Sequence, residues 1–192
     1  MMKIPDSVQV FVISDTHWNH LNIIQYSSRP FKSVEEMNEA MIRNWQSAVR
    51  DDDLVFHLGD WFMGAKHLAA PIMKRLTGRK ILVRGNHDKM FKGYPELDSQ
   101  LESAHDYLEV AHRGDCAVLS HFPIEVWNQA HKGFWHLHGH SHGTSRPVGR
   151  RLDVGVDAFC NAYMPRRWQD VAKHMESQIY MAGDHHNETH ES

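Results

Sequence analysis

A chain of 192 residues, 41% hydrophobic and 23% charged, is sized and composed for one globular domain with a substantial core; two independent domains are not expected. The formal net charge of -3 with neutral histidines excludes a general electrostatic attraction to nucleic acid, and the basic doublets Arg150–Arg151 and Arg166–Arg167 are too small to reverse that. Two cysteines, Cys116 and Cys160, exclude a disulfide framework and a thiolate zinc site and read as buried small apolar residues, which leaves 17 histidines as the compositional oddity.

The opening MMKIPDSVQVFVIS has neither the continuous apolar run nor the small-residue cleavage site of a signal peptide, and no later stretch reaches the roughly 18 apolar residues of a membrane span. No membrane association is expected, and the default expectation is a cytoplasmic protein. The run Val8–Ser14 is apolar and β-branched and ends directly in Asp15, as a buried strand delivering polar groups at its tip would. In SVEEMNEAMIRNWQSAVR, Val34, Met37, Met41, Trp45 and Ala48 share one helical face, and Ser33 with Glu36 makes a capping box. DLVFHLGD predicts a second strand ending in Asp60, and RKILVRGNHD a third ending in Asn86, His87 and Asp88. Between them AKHLAAPIMKRLTG predicts a helix bent near Pro71 and closed by Gly78. Strand, helix, strand, helix, strand is the pattern of a parallel sheet, in which ligands gather at the carboxyl ends of the strands.

The second half reads as mostly hairpin-linked sheet. YLEVAHRGDCAVLSHFP predicts two strands joined at Arg113–Asp115, GFWHLHGHSH another strand and loop, and RRLDVGVD one more. PRRWQDVAKHME predicts a terminal helix with its proline at a favourable start. Residues 1–178 are expected to form a single domain and 179–192, with His185, His186 and His190, a polar frayed tail.

The strand ends collect Asp15-x-His17, Gly59-Asp60, Gly85-Asn86-His87-Asp88, His121 and Gly139-His140-x-His142. These are oxygen and imidazole donors without thiolates, a set that suits manganese, iron, cobalt, nickel or zinc. A carboxylate can bridge two cations, and a pair about 3.5 to 4 Å apart can hold a phosphoryl oxygen and activate water. The glycines read as sharp turns in the donor-bearing loops.

The ordered motifs DTH, GD, GNHD, SH and GHSH resemble those of the calcineurin-like metallophosphoesterases over residues Val8 to about Asp157. The resemblance implies a four-layer α/β/β/α sandwich of two mixed sheets with a binuclear centre at one edge. It implies two divalent cations, manganese first among the candidates, one held by Asp15, His17 and His142, the other by Asn86, His121 and His140, with Asp60 bridging. The neutral amide of Asn86 limits negative charge where an anionic phosphate must bind. The resemblance further implies a hydroxide bridging the metals as nucleophile and His87 as general acid, its imidazole oriented by Asp88, though that carboxylate could instead cap the following turn. The expected activity is hydrolysis of a small phosphodiester or nucleotide, little of the chain lying beyond a catalytic core. The rivals are a phosphomonoesterase or protein phosphatase, a nuclease, and a non-catalytic scaffold of the same fold.

His20 and Arg29 are expected either to bind substrate phosphate or to be structural or surface groups. His57 is expected to be buried and hydrogen-bonded. His136 and His138 precede Gly139 and are expected to support the loop or pack. Trp18, Phe62 and Trp127 flank motifs and either stack a nucleobase or complete the core.

Overall fold

The structure, a computed structural model, describes residues 1–64, 66–91 and 93–178; the expected polar tail lies outside the described residues. The chain runs through β1 (Met2–Lys3), β2 (Val10–Ile13), α1 (Leu21–Tyr26), α2 (Val34–Ala48), β3 (Leu54–His57), α3 (Lys66–Met73), β4 (Arg79–Val83), α4 (Pro95–Asp98) and β5 (Ser103–His105). The second half supplies β6 (Tyr107–His112), β7 (Asp115–Ser120), β8 (Trp135–His138), β9 (Arg151–Asp153), β10 (Arg166–Arg167) and α5 (Trp168–Glu176).

These strands make two mixed five-stranded sheets flanked by helices, ordered β10-β2-β3-β4-β5 and β1-β6-β7-β8-β9. In the first, β2, β3, β4 and β5 are all parallel. Every residue of β2 and β3 is buried, as a strand covered on both faces requires, and their side chains join one core with those of β6, β7 and β8. Crossover helix α2 starts where the capping pattern places it: Ser33 Oγ accepts the Glu36 N–H at 3.1 Å. Only half of the box forms, because the Glu36 carboxylate takes the Lys32 N–H instead, at 2.7 Å. The helix buries Met37, Met41, Ile42 and Trp45.

The second half is less hairpin-like than the sequence predicts. Among the described residues only β6 and β7 form a hairpin there, through Arg113 and Gly114, both at positive φ as a primed turn requires. The β7–β8 and β8–β9 pairs are parallel, and the long connections after His121 and His138 give room for the chain to cross back. The terminal helix begins later than Pro165 suggests, because Arg166 and Arg167 first pair antiparallel with Val12 and Phe11. Cys160 is buried, while Cys116 is only partly so.

At one edge the sheets are stitched together. Ser14, just past β2, donates its N–H to Val154 O and accepts from Val156 N–H, both at 3.1 Å, so the loop after β9 docks on the tip of β2. The polar motifs lie along this seam. Among the described residues no helix is long and apolar enough to cross a membrane.

Candidate metal centre

Each strand tip along the seam delivers donors. Asp15 and His17 follow β2, Asp60 follows β3, Asn86 and His87 follow β4, His121 follows β7, and His140 and His142 follow β8. They converge as two groups, Asp15 with His17 and His142, and Asp60 with His121 and His140; within each, one donor atom per residue lies within 4.8 Å of the others. Asp60 Oδ2 stands between the groups, 3.6 Å from His17 Nε2 and 3.5 Å from His121 Nε2. Asn86 Oδ1 is 3.1 Å from His121 Nε2, which places the neutral amide at the second group. His87 is exposed, and its Nε2 lies 3.9 Å from Asp60 Oδ2.

The backbone that presents these donors is strained. Asp15, His17, Asp60, His140 and His142 all have φ between 46 and 69°, the left-handed region. Each such residue costs on the order of 1 kcal/mol or more, and the surrounding contacts must hold it there. Gly85 and Gly139 contribute room rather than a turn: a Cβ on Gly85 would strike Asp60 Oδ1, and one on Gly139 would strike Ser14 Oγ and Asp15 Oδ2. Asp15 in turn accepts the His140 N–H on both carboxylate oxygens at 3.0 Å.

Three carboxylates that do not belong to either group brace the loops. Asp153 accepts from Ser141 Oγ at 2.7 Å and from the Gly143 and Gly155 N–H groups at 2.8 Å, fixing the loop that carries His140 and His142. Asp157 accepts from His142 Nδ1 at 2.7 Å and from Arg29 at 2.8 and 2.9 Å. The bond leaves His142 Nε2 as the nitrogen with a lone pair to offer. Sequence reasoning missed Asp153 and Asp157, although VGVD ends in one of them.

Asp88 does not orient the His87 imidazole. Its buried carboxylate accepts the backbone N–H groups of Gly85, Asp60 and Trp61 at 2.7 to 2.8 Å, so it caps the Asp60 and Asn86 loops. Arg29 is also corrected. Its five N–H donors are committed to both Asp157 oxygens, the carbonyls of Asp15 and Thr16, and Met37 Sδ, leaving nothing for a phosphate. It holds the Asp15–Thr16 backbone instead. His20 stays at the site, its ring 5.5 Å from that of His17.

The donor set fits cations. His17 is 3% exposed, and neither ring nitrogen has a hydrogen-bond partner among the described residues, an arrangement that costs free energy until something takes a lone pair. Burial pushes the Asp15 carboxyl up to about 7, with the Asp153 charge adding to it, against the pull of the His121 and His142 charges and of the His140 N–H. Burial also pushes Asp60 up, but the hydrogen bond and charge of His121, the His87 N–H and His17 outweigh it and hold Asp60 below the ordinary carboxylate range. His121 is raised despite burial, by Asp60 and Asp15.

His57, His136 and His138 are structural. His57 accepts or donates to Thr16 Oγ1 at 2.9 Å and stacks on Trp61 at 4.2 Å. His136 accepts the Ile124 N–H at 2.9 Å through Nε2 and faces Val118 O through Nδ1. His138 lies in neither donor group; its Nδ1 is 2.8 Å from Gly139 O. Trp18 and Phe62 are buried in the main core, and Trp127 in a smaller apolar cluster with Val118 and Val148.

The sequence model of a family described as calcineurin-like phosphoesterase matches residues 8–191. The chain is similar to an uncharacterized protein, MJ1445, of Methanocaldococcus jannaschii, with 36% identity over 79% of this chain and 83% of that one. It is similar to the gene 66 protein of Mycobacterium phage L5, 28% identical over 86% of this chain and 94% of the phage protein. Among solved structures, the protein of unknown function AQ665 from Aquifex aeolicus superposes with a TM-score of 0.68 at 26% identity, covering 87% of this chain and 99% of its own.

Proposed function

Because this chain belongs to the calcineurin-like phosphoesterase family, we propose that it is a dimetal-dependent phosphoester hydrolase that prefers small phosphodiesters or nucleotides. The observation that carries this reading is the pair of donor groups with Asp60 between them and His87 on their open side. Asp15, His17 and His142 would hold one divalent cation, and Asn86, His121 and His140 the other, with Asp60 shared; manganese is the first candidate, then iron, nickel, cobalt or zinc. Such a pair supplies Lewis acidity toward phosphoryl oxygens and makes water acidic enough to react near neutral pH.

The chain's own residues do the rest. Asn86 presents an uncharged oxygen, so the centre attracts rather than repels a phosphate anion. Asp60, anchored through Oδ1 to the His87 N–H at 2.9 Å, sets the distance between the centre and the imidazole. His87, exposed on the open side, gives its proton to the leaving oxygen from the solvent side. His20 lies beside the same opening and contacts the phosphate oxygens. Arg29, Asp157, Asp153 and Asp88 keep the donor loops in their strained conformations.

The test is hydrolysis of mono- and bis-p-nitrophenyl phosphate with Mn²⁺, Ni²⁺, Zn²⁺ and Mg²⁺, beside His87→Ala. The diester is the better substrate, and the variant loses on the order of 10²- to 10⁴-fold in kcat. Inactivity with every metal, or a variant as active as the parent, overturns the reading. A non-catalytic scaffold has no reason to keep His87 together with every donor, and the formal net charge of -3 does not favour a nuclease.

A further inference from the structure

An exposed aromatic ring and a cleft adjoin the second donor group. The aromatic residues that flank the motifs in sequence are buried, but Phe122, directly after His121, is 48% exposed. Its ring lies edge-on to His140 at 4.7 Å and to His121 at 5.0 Å, so it borders the donors themselves. Ser120 Oγ donates to Phe122 O at 2.7 Å and pins the backbone that presents the ring. From this ring a cleft of about 620 Å³ runs past Asn86 to Arg84, Lys89 and Asp106. Arg84 is held at the rim by Asp106 at 3.1 Å.

An exposed aromatic ring beside the proposed phosphate-binding centre offers a π face on which a planar group can stack. The cleft has the volume of an ordinary small-ligand site, with an aromatic wall at the chemical end and cationic side chains at the other. We propose that this cleft takes the nucleoside part of a nucleotide ester, its base stacked on Phe122 and its ribose and outlying charge facing Arg84 and Lys89. This rests on the phosphoester hydrolase reading, and it narrows the substrate from small phosphoesters in general to nucleotide esters. Stacking of this kind tolerates any base, because every base offers a π face, so the selection is for a base rather than for its identity.

The test compares equilibrium binding of AMP and ribose 5-phosphate to the Mn²⁺-loaded protein by calorimetry. The two share a phosphate and a sugar and differ only in the base. AMP binds tighter by roughly 5- to 150-fold, the range expected of one stacked base. Phe122→Ala brings that ratio to about one, while Phe122→Trp keeps it. Equal affinity of the parent for both ligands, or a ratio that survives Phe122→Ala and collapses instead in Tyr26→Ala, whose exposed ring lies on the His20 side, overturns the proposal. Hydrolysis of bis-p-nitrophenyl phosphate by the same preparation reports separately on the parent reading. An active enzyme with no base preference defeats the cleft alone; an inactive one that still prefers AMP defeats the hydrolase alone.

Discussion

His142 Nδ1 and the Asp157 carboxylate meet at 2.7 Å, and Asp157 is gripped in turn by Arg29. This contact fixes the tautomer and ring orientation of one proposed ligand. Asp157→Asn therefore weakens the first cation's binding by about 10- to 100-fold, the usual effect of losing such an outer partner. Titration of the metal-free protein with Mn²⁺ checks it, and the first site should weaken far more than the second.

Asp88 separates two roles by its variant. As a cap for three backbone N–H groups, its replacement in Asp88→Asn turns a carboxylate that accepts three bonds into an amide that accepts fewer, and the melting temperature falls by an amount corresponding to about 1–3 kcal/mol. The alkaline limb of the pH–rate profile, the one a general acid sets, does not move. A shifted limb without loss of stability would restore the carboxylate to the His87 imidazole.

Asn86 offers an uncharged oxygen at the second donor group. Asn86→Asp keeps a ligand but adds negative charge beside the phosphate. The metal content of the variant stays full, and KM for bis-p-nitrophenyl phosphate rises on the order of tenfold, equivalent to ~1.4 kcal/mol. Metal analysis and steady-state kinetics on one preparation read both.

His136 makes a pH prediction away from the metals. Burial first, then the charge of His138, lower its pKa to about 3, and the Ile124 N–H needs its lone pair. The folded chain thus keeps it neutral, whereas the unfolded chain protonates it near 6.5. Its contribution to stability is full above pH 6.5 and is lost as pH falls toward 3, at up to about 1.4 kcal/mol per pH unit. In His136→Gln, urea unfolding at pH 7, 6 and 5 should show a pH slope shallower by that amount.

The strand tips were legible because short apolar runs stop at Asp15, Asp60 and Asn86, and because five short motifs keep one order along the chain. Neither signal speaks about partners distant in sequence. Arg29 and Asp157 are 128 positions apart, and a guanidinium looks the same in sequence whether it meets a phosphate or a carboxylate. Asp88 lies next to His87 in sequence, yet its side chain faces backbone amides across the β3–β4 tips. Parallel pairing of β7 with β8 was likewise hidden, since a long loop permits a crossover and a wide hairpin equally.

The Ser14–Gly155 seam gives the proposed cations a mechanical role. Asp15, His17, Asp60 and Asn86 extend from one sheet, and His121, His140 and His142 from the other. Each donor group draws on both sheets, so each ion would act as a rivet through the sandwich, and metal loading should slow amide exchange in β6 and β9, strands that carry no ligand at all.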